Sequence, residues 1–137
     1  MSGGAGLAPS RRSMSKANAS YVMVVLVVED EFMIRENIVE YFRRAGCLVL
    51  EAETGEQAVA MLRRDRPIDV VFTDIRLAGD LNGWDVGEFC REFQGDMAVV
   101  YTSGNPIRPG RTVSGSMFFA KPYRAEEIFE ACRSLCH

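Results

Sequence analysis

Apolar and polar positions along this chain alternate between two rhythms. Tyr21 to Val28, YVMVVLVV, is an unbroken apolar run of strand length, rich in valine. Phe32 to Ala45 changes period: Ile34, Ile38, Phe42 and Ala45 recur at helical spacing, and Gly46 supplies the stop. CLVLEA, residues 47–52, is again strand-like. Gly55 to Asp65 reads as a helix turning Ala58, Val59 and Leu62 inward. Pro67 breaks the pattern, and Ile68 to Thr73 is a third apolar run. Asn82-Gly83 opens another helix, with Val86, Phe89, Cys90 and Phe93 on one face. MAVVYT and MFFA are the last two strands, and a helix from Arg124 carries Ile128, Phe129, Cys132, Leu135 and Cys136 on one stripe.

Strands without polar alternation are buried on both faces, as in parallel sheets. Parallel strands need crossovers, and right-handed crossovers place helices on both sides. The pattern therefore predicts a doubly wound α/β sandwich. One crossover is unlike the others. Residues 104–116, GNPIRPGRTVSGS, hold two prolines and three glycines and little helical periodicity. The fourth helix is expected to be short, distorted or absent.

The 137 residues fit one domain, and 47% are hydrophobic, as in globular chains. Residues 1–20 are small and polar and are expected to form a flexible tail ahead of a domain over 21–137. A net charge of -3 and a pI near 5.2 argue against binding nucleic acid or an anionic membrane through bulk charge. No apolar run approaches the roughly 20 residues of a membrane helix, and no signal-peptide pattern is evident. The four cysteines, Cys47, Cys90, Cys132 and Cys136, then read as reduced thiols in a cytoplasm. Cys132, Cys136 and His137 could suggest a metal site, but the two cysteines fall on a helical apolar stripe.

In an open parallel sheet, ligands bind beyond the carboxyl ends of the strands. Here the first strand ends in Glu29-Asp30-Glu31, the third in Asp74, the fourth in Thr102-Ser103-Gly104 and the fifth in Lys121-Pro122. Taken singly, each has a plain structural reading: a helix cap, a turn cap, a loop hydroxyl, a surface charge. Taken together, they gather carboxylates, a hydroxyl and an ammonium at one edge of the sheet. Crowded carboxylates repel unless a cation intervenes. Oxygen-only ligands with room for water suit Mg²⁺, and a carboxylate beside such an ion can attack a phosphoryl group.

In this order, VLVVEDE, AGCLVLEAETGEQAV, IDVVFTDIRLAG, NGWDV, VVYTSG and FFAKPY resemble the receiver domains of two-component response regulators, over Val24 to about Leu135. The resemblance implies a flavodoxin-like sheet of strand order 2-1-3-4-5. It also implies that Asp74 accepts a phosphoryl group from a sensor histidine kinase or phosphotransfer protein. Asp30, Asp74 and the backbone carbonyl of Arg76 would bind Mg²⁺, with Glu29 holding metal-bound water. Lys121 would pair with the phosphoryl oxygens, and its bond to Pro122 is expected to be cis. Ser103 would be the switch hydroxyl and Phe118 the switch aromatic. Output would pass to a downstream protein partner, without nucleic acid or membrane. Beyond self-phosphorylation and autodephosphorylation, no enzymatic activity is expected.

The chain departs from the family pattern in four places. Ala78 stands where many receivers have proline, the loop to Gly83 looks about one residue longer, Arg76 is a bulky cation beside the site, and Phe118 lacks a tyrosine hydroxyl. Arg76 could shield an acyl phosphate from water or pair with Glu29. The odd fourth crossover predicts that the usual receiver homodimer across that face does not form. Nothing after Leu135 has the length of an effector domain, which predicts a stand-alone receiver or a cut chain. The rival readings are a scaffold that never uses phosphate, and an aspartyl-nucleophile phosphohydrolase. The latter would need a second Asp at position 76, which is Arg76. Flavin or dinucleotide binding lacks a Gly-rich loop after the first strand.

Overall fold

A computed structural model of the protein describes residues 21–64, 66–104 and 110–136. The tail expected over residues 1–20, most of the proline-rich part of the fourth crossover and His137 lie outside them. Nine elements follow one another: β1 (Val24–Val28), α1 (Phe32–Arg44), β2 (Leu48–Ala52), α2 (Gly55–Leu62), β3 (Val70–Asp74), α3 (Gly83–Phe93), β4 (Ala98–Ser103), β5 (Met117–Ala120) and α4 (Ala125–Leu135). The sheet is five-stranded, ordered β2-β1-β3-β4-β5, with every pairing parallel. The doubly wound fold and the strand order both match expectation. No helix among the described residues is long and apolar enough to cross a membrane.

The unbroken apolar runs are explained by burial on two sides. All residues of β1, β3 and β4 are buried. Alternate residues feed two cores. Leu26, Val71, Val99 and Tyr101 point toward α2 and α3, with Val86 and Trp84. Val25, Val27, Val70, Phe72 and Val100 point toward α1 and α4, with Ile38, Phe42, Ile128 and Cys132. The period-two geometry of a strand makes this division automatic.

Several boundaries and faces differ from the sequence reading. β1 starts at Val24 rather than Tyr21, because Val22 is exposed and Tyr21 is only half-buried. Ala45 is exposed and caps α1; the inward stripe is Arg35, Ile38, Val39 and Phe42, with Ile34 shifted to the rim. Gly46 does end this helix, at φ 94°, where a left-handed backbone suits glycine. α2 ends at Leu62, earlier than Asp65, with Arg63 as its C-cap. Phe93 is 48% exposed and lies against the Phe89 ring (centroids 4.8 Å apart) instead of entering the core. β3 begins at Val70 rather than Ile68, and it ends at Asp74 as the sequence indicates.

No helix lies between β4 and β5 among the described residues. Residues 110–116 run across α3 instead. Val113 packs on the Tyr101 core, and its N–H donates to the Tyr101 hydroxyl (3.3 Å). Arg91 donates to the Ser114 carbonyl (2.7 Å), and Arg111 pairs with Asp85 (2.9 Å) and Glu88 (2.8 Å).

Candidate functional site

Strands β1, β3 and β4 end at one edge of the sheet, and their termini carry the polar residues. Thr73 pairs with Val28 in β1, so Glu29 follows beside Asp74; Asp74 pairs with Thr102 in β4, and Ser103 is the next residue along that strand. β5 adds Lys121 directly after Ala120, and the Lys121 N–H donates to the Ser103 carbonyl (2.9 Å). The Lys121–Pro122 bond is cis, as expected.

Lys121 Nζ stands between two carboxylates, 2.9 Å from Asp74 Oδ2 and 3.1 Å from Glu29 Oε1. Glu29 and Asp74 are buried, and Asp30 is exposed. One carboxylate oxygen from each of Glu29, Asp30 and Asp74 lies within 4.8 Å of the others. The structure thus brings Glu29, Asp30, Asp74 and Lys121 together. Arg76 follows β3 in an exposed loop, and its N–H donates to Asp74 Oδ1 (3.3 Å). Ser103 is buried at the end of β4. Phe118 is half-buried, in register with Tyr101 and packed on the core that Tyr101 shares.

The electrostatics follow from crowding. Burial first, then the charge of Asp74, pushes the Glu29 carboxyl up to about 7, against hydrogen bonds from the Glu31 N–H and Lys121. Burial opposes the charge on Lys121, but its hydrogen bonds to Asp74 and Glu29 outweigh that and raise its pKa. Tyr123, whose ring meets Phe72 edge-on, is pushed up to about 12 by burial and by Glu29. The donor set is all oxygen, partly open to solvent and overloaded with negative charge. Those are the properties that admit a hard divalent cation.

Two residues that the sequence reading passed over support the site from behind. Arg35 is buried on α1; its guanidinium donates to the Glu29 carbonyl (2.8 Å) and to Glu51 Oε1 (3.1 Å), tying the acidic loop to β2. Its spacing to Ile38 and Phe42, three and seven residues on, puts it on the buried stripe, and that is the signal that could have found it. Glu56, on the first turn of α2, accepts from the N–H groups of Asp80 and Leu81 in the loop after Asp74. No local pattern announces that contact, because it spans 24 residues.

Comparison with known proteins places this geometry. A family model described as the response regulator receiver domain matches residues 25–133. A protein named "Probable transcriptional regulatory protein", from Picosynechococcus, is 31% identical over 121 residues. The match covers 81% of this chain but 48% of that protein, so the chain spans about half of its length. Sporulation initiation phosphotransferase F of Bacillus subtilis is 26% identical over 113 residues, covering 80% of this chain and 90% of the relative. Among solved structures, a response regulator receiver protein from Sinorhizobium medicae superposes with a TM-score of 0.81 at 29% identity, covering 84% of this chain and 94% of that one.

Proposed function

This chain belongs to the response regulator receiver domain family, and from that premise we propose that residues 21–137 form a cytoplasmic phosphoacceptor unit whose nucleophile is Asp74. The observation that carries the reading is the Lys121 ammonium held 2.9 Å from Asp74 and 3.1 Å from Glu29, with Asp30 in the same carboxylate cluster. A structural ion pair needs one carboxylate. Three at one strand edge, with a single lysine, leave negative charge for another cation to balance.

In the proposed reaction, an Asp74 oxygen attacks the phosphorus of a phosphohistidine on a sensor kinase or phosphotransfer protein. The P–N bond breaks, and its electron pair leaves with the imidazole nitrogen. Asp30, Asp74 and the Arg76 carbonyl would hold Mg²⁺, and Glu29 would act through bound water. The ion, when bound, neutralises charge that gathers on the phosphoryl oxygens. Lys121 transfers its hydrogen bonds from the carboxylates to the phosphoryl oxygens, and the Ser103 hydroxyl donates to one of them. Phe118, with no hydroxyl of its own, follows by packing against the Tyr101 core, which biases the domain between two populations.

The surface beside the site supports a protein as donor. Phe32 and Met33, the first residues of α1, are 58% and 76% exposed. A groove of about 550 Å³ runs between α1 and the Lys121–Ala125 segment, lined by Ile34, Tyr41, Pro122 and Tyr123. Apolar surface of this kind suits a docked helix. The phosphohydrolase reading is disfavoured by Arg76, which stands two residues after Asp74 where that chemistry needs an acid/base.

Acetyl phosphate with Mg²⁺ tests the proposal. The intact chain should gain the mass of one phosphoryl group, and Asp74→Asn or EDTA should abolish the gain. An unchanged wild-type mass, or a gain that survives Asp74→Asn, sinks it. Steady release of phosphate from small phosphoesters would favour the hydrolase instead.

A further inference from the structure

The loop between Asp74 and α3 carries Arg76, whose backbone carbonyl is a proposed cation ligand, yet it has no proline to stiffen it. Its two ends are fixed. At the start, the Arg76 N–H donates to Asp74 Oδ1 (3.3 Å); at the end, the Gly83 N–H donates to the Ile75 carbonyl (2.8 Å). Gly83 also lies so close to the Asp74 carbonyl that any Cβ would collide with it. What remains to be held is the tip, residues 77–81.

Several observations place the tip against the first turn of α2. Ala78 forms a parallel bridge with Thr54, the N-cap of α2. A Cβ on Gly55 would come within 2.8 Å of both Leu81 Cβ and the Leu81 carbonyl oxygen. Gly79 has φ 94°, and a Cβ there would stand 2.7 Å from Glu56 Oε1. A single oxygen of Glu56, Oε2, accepts from both the Asp80 N–H (2.9 Å) and the Leu81 N–H (3.3 Å). The Asp80 bond heads the causes that hold the Glu56 carboxyl below its usual range.

We propose that Glu56 is a positioning residue for the cation site, clamping the loop tip through the Asp80 and Leu81 amides so that the Arg76 carbonyl is presented beside Asp74. The inference rests on the phosphoacceptor reading, in which that carbonyl is a ligand. The clamp replaces with a side chain the stiffness that proline's locked φ would give. Gly79 is its other half, since a Cβ there would push the carboxylate from its place and φ 94° strains any other residue. Groups that orient ligands from behind typically change metal affinity by about 10-fold or more.

The chemistry separates two explanations. If Glu56 acts only by its negative charge, Glu56→Gln and Glu56→Ala weaken Mg²⁺ binding equally. If it acts as an acceptor, the glutamine amide oxygen can take both N–H groups, and Glu56→Gln largely restores what Glu56→Ala loses. By calorimetric titration of the full chain with Mg²⁺, Glu56→Ala should bind about 10-fold more weakly. Glu56→Gln should stay within about twofold of wild type, since it keeps the acceptor at neutral strength. Gly79→Ala should resemble Glu56→Ala. In metal-free protein, hydrogen exchange of the Asp80 and Leu81 amides should quicken in Glu56→Ala and not in Glu56→Gln, while the β1 and β3 amides stay protected. Equal affinities for wild type and Glu56→Ala, or equal losses in both Glu56 variants, overturn the clamp while leaving the phosphoacceptor reading intact. Failure of wild-type protein to bind Mg²⁺ overturns both.

Discussion

Lys121 is the residue on which the charge balance of the site turns, and Glu29 is where the imbalance shows. With its carboxyl pushed up to about 7 from 4.5, folded Glu29 retains a proton that the unfolded chain has already released. Stability of the metal-free protein therefore falls as pH rises through that interval, by at most about 3 kcal/mol. Lys121 acts in the same direction but in a higher window: its raised pKa contributes stability that is fully present below 10.5 and lost only at higher pH. Urea melts between pH 4.5 and 7.5 in EDTA should show the decline, and Glu29→Gln or added Mg²⁺ should flatten it. A wild-type stability that climbs relative to Glu29→Gln over this range contradicts the assignment. Gly87 offers a second test at this scale. A Cβ there would strike the Tyr101 hydroxyl and approach Cζ to 2.8 Å. Gly87→Ala should cost about 1–3 kcal/mol in a chemical melt, because Tyr101 is fully buried against Trp84, with ring centroids 5.0 Å apart. Of the site residues, those at strand ends were legible because a parallel sheet dictates which edge binds. Arg35 and Glu56 were not, because a polar residue on a helix looks solvated until its distant acceptor or donor is known.

Among the elements, the fourth crossover is the one that the sequence described best by failing to look like a helix. Its two prolines and three glycines forbade a regular period, and residues 110–116 lie flat on α3. The edges of elements were less legible. α1 lost Ala45 from its stripe and gained Arg35, since an alanine contributes little to burial and a long cation can bury its stem while its head is paired. Phe93 turned outward at the last residue of α3, where the preceding turns already fill the core with Val86 and Cys90. Arg111 fastens the crossover to α3 by exposed ion pairs, which add little to global stability. Arg111→Ala should thus lower unfolding free energy by less than about 1 kcal/mol, while amide exchange at Val113 rises clearly. A large loss of stability, or unchanged exchange at Val113, would show that the segment is held by something else.

For the whole molecule, the face that receivers use for pairing lacks its helix among the described residues, leaving Met117 exposed on β5. Phosphorylated protein should accordingly remain monomeric by light scattering; a symmetric dimer through α4 and residues 110–116 would refute this. The strand order carries a consequence in time. β1 pairs with β2 on one side and β3 on the other, and a parallel pair cannot close without its crossover. Chain from Val24 through Asp74 must therefore assemble before β1 is enclosed, and that stretch already contains Glu29, Asp30 and Asp74. Lys121 arrives only with the fifth strand. If the sheet forms before the fifth strand joins it, three acids crowd together with no ammonium between them, and the half-built sheet repels itself. Millimolar-range divalent ions should then hasten refolding from urea in stopped-flow traces, and Asp30→Asn should remove the acceleration.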